Sequence, residues 1–191
     1  MKKIGLFFGS FNPIHIGHLI IASHVADNTD LKEIWFVVSP HNPLKKKKSL
    51  LHGHHRLEMV RRAIETDPRF KASDIEFQLD QPSFTTNTLA HLKEKFPANE
   101  FSLIMGGDNL VSLPKWRNYE AILAHYPIIV YSRPEHDATQ IEEHGNITIL
   151  NAPEMNISSS LIRKDIAAQH EVKYMMPLEA WEYMVEMNFY K

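Results

Sequence analysis

The sequence predicts an α/β protein: a doubly wound parallel sheet with helices on both faces and a small helical extension at the C-terminus. Three observations carry this reading. Short runs rich in β-branched and aromatic residues recur along the chain, among them Ile4–Phe8, Glu33–Val38, Glu100–Met105 and Pro127–Ser132. Segments with helical spacing of apolar residues separate them, and strands alternating with helices build a parallel sheet covered on both sides. The Glu33–Val38 run is also nearly continuous in apolar residues, as expected of an interior parallel strand. The arrangement is Rossmann-like, and 191 residues fit one domain spanning 1–191.

Taken in order, Ile4–Phe8 reads as a buried strand and about Ile16 to Asp27 as a helix. Glu33–Val38 is the next strand. It ends at Ser39-Pro40-His41-Asn42-Pro43, where two prolines impose an extended loop, continued by the lysines Lys45 to Lys48. A helix from about Gly53 to Thr66 follows, with Leu57, Val60, Ala63 and Ile64 on its buried face. Ser73–Leu79 places Ile75, Phe77 and Leu79 at period two and reads as a half-buried strand. Thr85–Phe96 reads as a helix and Glu100–Met105 as a strand ending at Gly106-Gly107-Asp108. A helix from about Tyr119 to His125 precedes the strand Pro127–Ser132. Ile147–Leu150 is a short strand, and Ser158–Ala168 a helix whose serines match N-cap chemistry. In the tail, Pro177 to about Met187, the stripe Trp181, Met184 and Val185 is read as packing against the sheet.

Composition narrows the function classes. Hydrophobic residues make up 43% and charged residues 23% of the chain, an ordinary globular balance. A net charge of −2 argues against a general nucleic-acid binder. With no cysteine, disulfides and thiolate metal sites are excluded. His52, His54 and His55 come without the cysteine or spaced carboxylate that usually completes a structural zinc site, which argues against one. The N-terminus leads straight into a strand without the apolar run of a signal peptide. No stretch approaches the ~20 apolar residues of a membrane span. The expectation is a soluble, cytoplasmic protein without nucleic-acid or membrane partners. The oligomeric state stays open, a homo-oligomer included.

In a parallel α/β sheet, ligands lie beyond the carboxyl ends of the strands, and every unusual string in this chain falls at such an end. The first is Gly9-Ser10-Phe11-Asn12-Pro13-Ile14-His15-Ile16-Gly17-His18. A strand, a tight turn and a helix N-terminus in succession point backbone N–H groups at an anion. Gly9 allows close backbone approach. His15 and His18, three apart, share one face of the helix start and converge on one phosphate. The other strings are Pro40-His41-Asn42-Pro43-Leu44-Lys45, Ser83-Phe84-Thr85-Thr86-Asn87-Thr88-Leu89, Gly106-Gly107-Asp108 with Trp116 behind it, and Ile157-Ser158-Ser159-Ser160-Leu161-Ile162-Arg163.

On these five strings, in this order over the whole chain, the sequence resembles the nucleotidyltransferase superfamily with a His-x-Gly-His signature. Within it, the sequence is similar to the bacterial nicotinate-nucleotide adenylyltransferases. Phe8 departs from a frequent Gly-Gly pair and Asn12 from a frequent Asp. The resemblance implies transfer of AMP from ATP to the 5′-phosphate of nicotinate mononucleotide, giving deamido-NAD and pyrophosphate. It implies that His15 and His18 contact the ATP phosphates, with His18 at the α-phosphorus. Backbone around Gly9, Ser10 and Phe11 would pack against the nucleotide, with Gly106 and Arg133 among the ATP-binding residues. Ser158, Ser159 and Arg163 would hold the β- and γ-phosphates, and Asp108 the ribose hydroxyls. Trp116 would stack on the nicotinate ring, and Thr85 with nearby N–H groups would receive its carboxylate. A helix N-terminus favours a carboxylate over a neutral carboxamide. His41 and Lys45 would meet the mononucleotide phosphate. Mg²⁺ is expected with ATP, held mainly by phosphate oxygens and water.

The chemistry suits these residue types. A phosphate monoester is already a nucleophile near neutral pH, so catalysis consists of positioning two anions and neutralising charge. Competing readings are a sister adenylyl- or cytidylyltransferase with nicotinamide mononucleotide, phosphopantetheine or glycerol phosphate as acceptor, and a non-catalytic nucleotide sensor on the same fold. A class I aminoacyl-tRNA synthetase fragment also uses a His-x-Gly-His helix, but this chain lacks that family's Lys-Met-Ser-Lys-type loop.

Overall fold

A computed structural model describes residues 1–40, 50–132, 146–153 and 155–191. Six strands, β1 (Lys2–Gly9), β2 (Glu33–Val38), β3 (Phe70–Ser73), β4 (Asn99–Gly106), β5 (Ile128–Ser132) and β6 (Ile147–Asn151), form one sheet in the order β3-β2-β1-β4-β5-β6. Every pairing is parallel, with Phe7 opposite Phe36 and Leu6 opposite Leu103. The chain winds outward from β1 to β3, then restarts on the other side of β1 with β4. The crevice between the carboxyl ends of β1 and β4 is the switch point of a doubly wound sheet. The predicted fold class is therefore the one observed.

Alternation along the strands feeds two cores. On one face, Phe7, Ile34, Phe36, Ile104 and Ile129 pack with residues of α1 (Ile16–Asp27), α2 (Gly53–Ile64), α6 (Ser159–Ala167) and α7 (Leu178–Glu186). On the other, Ile4, Leu6, Val37, Leu103 and Val130 pack with α3 (Thr85–Lys95), α4 (Gly107–Ser112) and α5 (Tyr119–His125). Helix α7 lies against α2, where the Arg62 guanidinium sits 4.4 Å above the Tyr183 ring. Its apolar stripe divides: Met184 is buried and Trp181 half-buried, whereas Val185 is 44% exposed and does not join the core. Among the described residues no helix is long and apolar enough to cross a membrane.

One expected strand is corrected. The expected strand Ser73–Leu79 is a strand ending at Ser73 followed by a 3₁₀ turn, Ile75–Gln78. Pairing with β2 runs from Phe70 to Ser73, and the chain then turns at Asp74, whose carbonyl accepts from the Phe77 N–H at 2.8 Å. The residues buried there are the adjacent Ile75 and Glu76, which a strand would send to opposite faces. The Gly106-Gly107-Asp108 string, where β4 ends, opens α4, with Gly106 as its N-cap.

The bottom of the sheet is fastened by Glu33 on β2. Burial pushes its carboxyl up, but ion pairs with Lys2 (2.6 Å) and Lys71 (2.8 Å) and the Trp35 indole N–H (3.0 Å) prevail and hold it at about 2. The contribution is present above the unfolded-state value near 4.5 and is lost as pH falls through about 2. We expect Glu33→Gln to cost about 2 kcal/mol at pH 7, allowing for the half-exposed lysines. In urea denaturation the gap between variant and wild type should narrow as pH drops from 4.5 towards 2.

Candidate active site

The turn from β1 into α1 is built around a missing side chain. Phe11 adopts a left-handed conformation, φ 43°, and folds its ring back over Gly9. A Cβ at Gly9 would lie 2.7 Å from Phe11 Cζ and 2.9 Å from two further ring carbons. The Phe11 ring is buried and packs against Phe7 and Phe36, with centroids 5.9 and 5.6 Å away. Gly9 and Ser10 line the adjoining cavity; the Phe11 side chain belongs to the core beneath it.

His15 is the N-cap of α1 and His18 its third residue. The His15 backbone N–H donates to His18 Nδ1 at 3.2 Å. The two imidazoles stack with centroids 3.7 Å apart and planes 30° from parallel. Gly17 makes room for the His15 ring, whose Nδ1 would lie 3.1 Å from a Cβ at that position. A ring nitrogen that accepts from a backbone N–H does not carry a proton itself, so neutral His18 is the Nε2–H tautomer. The Phe7 and Phe11 rings stand edge-on to His18 at 6.1 and 5.0 Å. His15 is 4% exposed and His18 half-buried, so the two histidines sit as a layered pair with His18 towards solvent.

The carbonyls of this turn are taken by side chains from two other elements. Arg56 of α2 donates from Nη1 to the Ser10 carbonyl and, at 2.8 Å, to that of Ser39. Its Nη2 donates to the Pro40 carbonyl at 2.9 Å and its Nε to that of Leu51 at 2.8 Å. From α6, Arg163 Nη1 donates to the Asn12 carbonyl at 2.6 Å and the Ser159 hydroxyl to that of Pro13 at 2.8 Å. The Asn12 side-chain oxygen accepts from the Leu51 N–H (3.2 Å) and the Tyr190 hydroxyl (2.7 Å). In a trans peptide the N–H points opposite to the C=O. Holding the Ser10 and Pro13 carbonyls therefore turns the N–H groups of Phe11 and Ile14 away from these donors.

Arg56 is fully buried, and burial lowers its value to about 10, which leaves it charged at neutral pH. Burial pushes the Tyr190 hydroxyl up, so it stays neutral and donates. Among the described residues no carboxylate pairs with Arg56 or Arg163. Two guanidinium charges thus stand behind the turn. At the start of α6, Ser158 Oγ caps the helix by accepting from the Leu161 N–H at 3.1 Å, and Arg163 Nη2 touches Ser160 Oγ at 3.2 Å. What α6 presents is its first N–H groups and the outer face of Arg163.

On the other side of the crevice, a cavity of about 260 Å³ reaches from Gly9 and Ser10 to Thr85, Trp116 and Glu76. Thr85 opens α3, whose N-cap, Phe84, supplies no side-chain cap. The Arg117 guanidinium lies 5.1 Å above the Phe84 ring. Trp116 is half-buried, and its indole N–H is buried without an acceptor among the described residues. Asp108 is exposed on the first turn of α4. A Cβ on Gly106 would come within 2.5 Å of its Oδ1 and 3.1 Å of the Tyr131 hydroxyl.

The structure thus gathers His15, His18, Ser159, Arg163, Gly9 and Ser10 at one end, and Thr85 and Trp116 at the other. His41, Lys45 and Arg133 lie outside the described residues. Four residues were missed from sequence: Arg56, Glu76, Tyr131 and Tyr190. The signal for Arg56 was present, since it precedes Val60 and Ile64 at four-residue intervals on the buried face of α2.

Fold and site define a nucleotidyltransferase: residues 6–165 match the cytidylyltransferase-like family. Over its full length the chain is 55% identical to a probable nicotinate-nucleotide adenylyltransferase of Flavobacterium psychrophilum, with 99% of each chain covered. It is 39% identical to one from Bacteroides fragilis, covering 97% of this chain and 92% of that one. The chain belongs to the nicotinate-nucleotide adenylyltransferase family. Its fold superposes on Plasmodium falciparum nicotinic acid mononucleotide adenylyltransferase in complex with NaAD, with a TM-score of 0.84 and 22% identity over 100% and 98% of the two chains.

Arg56 organises the phosphate end through four carbonyls at once. Replacing it by Met should cost at least about 3 kcal/mol, because buried acceptors lose charged donors. Arg56→Lys should recover only part, since an ammonium cannot reproduce the fork. Urea denaturation of both variants checks this; an Arg56→Met protein as stable as wild type would contradict it.

Proposed function

We propose that the chain transfers AMP from ATP to nicotinate mononucleotide, forming deamido-NAD and releasing pyrophosphate. The observation that carries this is the two-ended crevice. A donor-rich turn backed by Arg56 and Arg163 lies at one end, and a flat indole beside an uncapped helix N-terminus lies at the other.

The ATP triphosphate lies along the β1–α1 turn and the start of α6. A 5′-phosphate oxygen of the mononucleotide attacks the α-phosphorus; the new P–O bond forms as the bond to the pyrophosphate oxygen breaks. His18 presents Nε2–H to the α-phosphate, a preoriented donor where charge accumulates. Arg163 and the first N–H groups of α6 stabilise the departing pyrophosphate. Ser159 acts by tying α6 to the Pro13 carbonyl, so the two anion-binding helix starts keep their spacing. Asp108, at the mouth of the crevice, accepts from ribose hydroxyls.

Trp116 has two uses in this reading. Its face stacks on the pyridine ring, and its half-buried indole walls the cavity beside the N–H groups that begin α3, which meet the ring carboxylate. Magnesium fits as a companion of the nucleotide. Among the described residues no group of three or more His, Asp or Glu could hold a metal, and the phosphate end offers donors rather than carboxylate oxygens. The ion would be held by ATP oxygens and water, supplying charge neutralisation.

Pyrophosphate release from ATP, measured with nicotinate and nicotinamide mononucleotides in parallel, tests the assignment. We expect kcat/KM at least about tenfold higher for the nicotinate form, the scale of a carboxylate at a helix N-terminus in a partly dry site. No turnover with nicotinate mononucleotide, or faster turnover with the amide, would overturn it.

A further inference from the structure

Glu76 is an acid with no assigned task. It lies on the 3₁₀ turn Ile75–Gln78, is 3% exposed, and lines the cavity that holds Trp116 and Thr85. Among the described residues its carboxylate accepts one neutral hydrogen bond, from the Thr88 hydroxyl at 2.8 Å, and Thr88 is itself fully buried. Among the described residues it has no ion pair. A carboxyl group withdrawn from water beside a single hydroxyl is a site that a cationic ligand would complement. The basic residues of the cavity, Lys115 and Arg117, are exposed, and the Arg117 guanidinium is engaged over the Phe84 ring.

We propose that Glu76 supplies the counter-charge for a cationic aromatic ring in this cavity, namely the N-ribosylated pyridinium of the acceptor. The proposal rests on the acceptor reading above and deepens it. A pyridine ribosylated on nitrogen is a cation whatever its substituent, and nicotinate adds an anion two ring positions away. The cavity matches both poles. The N–H groups that open α3 serve the carboxylate. Thr88, which fixes Glu76, sits three residues further along α3 than Thr85, roughly 4.5 Å of helix rise. That separation is comparable with the span between the ring nitrogen and a carboxylate on carbon 3. Glu76 thereby selects a charged ring over an uncharged one of the same shape, while stacking on Trp116 accepts either.

The test crosses the charge of the ligand with the charge of the residue. Kd and KM are measured for nicotinate mononucleotide and for its neutral isostere, the 3-carboxyphenyl C-riboside 5′-phosphate, with wild type, Glu76→Gln and Glu76→Asp. Wild type should favour the pyridinium by at least about tenfold, the lower end for a desolvated charge pair. Glu76→Gln should bring the ratio close to one, and Glu76→Asp should keep part of it. A purely structural role for Glu76 would weaken both ligands alike and leave the ratio intact, which overturns the proposal. Wild-type affinities that are equal for the two rings would overturn it without any variant. Should wild type adenylylate neither, the acceptor reading itself falls and takes this proposal with it. Loss of the ratio in wild type alone leaves the acceptor reading standing.

Discussion

The capture of backbone carbonyls behind the β1–α1 turn is the constraint on which the phosphate end depends. Arg56 takes those of Ser10, Ser39, Pro40 and Leu51, Arg163 that of Asn12, and Ser159 that of Pro13. A turn left to itself exposes donors and acceptors equally and has no preference for anions. With its acceptors occupied by side chains from α2 and α6, what remains is donors and positive charge. The same contacts join β1, the loop after β2 and both helices, so stability and anion binding draw on one set of hydrogen bonds.

The switch point explains why one crevice serves two substrates. Strands β1 and β4 are neighbours in the sheet but far apart in sequence. Their exits send the chain to opposite faces, and the space between is open to ligand. From the β1 side come the turn and its histidines. From the β4 side come α4 and Trp116, with α3 and its preceding 3₁₀ turn closing the far wall. Gly106 has a structural reason of its own, because the Asp108 carboxylate and the Tyr131 ring crowd the place its Cβ would take.

Much of this was legible in the chain. Helices Ile16–Asp27 and Tyr119–His125 and the strand Glu33–Val38 have the boundaries their apolar spacing predicts. The His-x-Gly-His turn and the Thr85 and Trp116 strings were visible because they combine rare residues at fixed spacing. What escaped detection depends on partners distant in sequence. Ile75, Phe77 and Leu79 alternate as a strand would, yet β2 offers pairing only as far as Ser73, and tertiary context overrode local pattern. Arg56 shares the buried spacing of Val60 and Ile64, but its acceptors are backbone carbonyls, among them those of Ser10, Ser39 and Pro40, which no sequence pattern displays. Arg163 and the serines were read as ligands for phosphate, whereas Arg163 and Ser159 also hold the turn itself, Arg163 at a separation of 151 residues. Tyr190, next to the last residue, reaches back 178 positions to Asn12.

If the turn works by fixing its donors, the most direct readout is the tautomer of one ring. The ¹⁵N chemical shifts of His18 at neutral pH, assigned against a His18→Gln variant, report which nitrogen carries the proton. The geometry requires Nδ1 to be the unprotonated acceptor of the His15 N–H and Nε2 to be protonated towards the crevice. A spectrum with the proton on Nδ1 would contradict it, because the turn would then orient an acceptor, not a donor, at the phosphate.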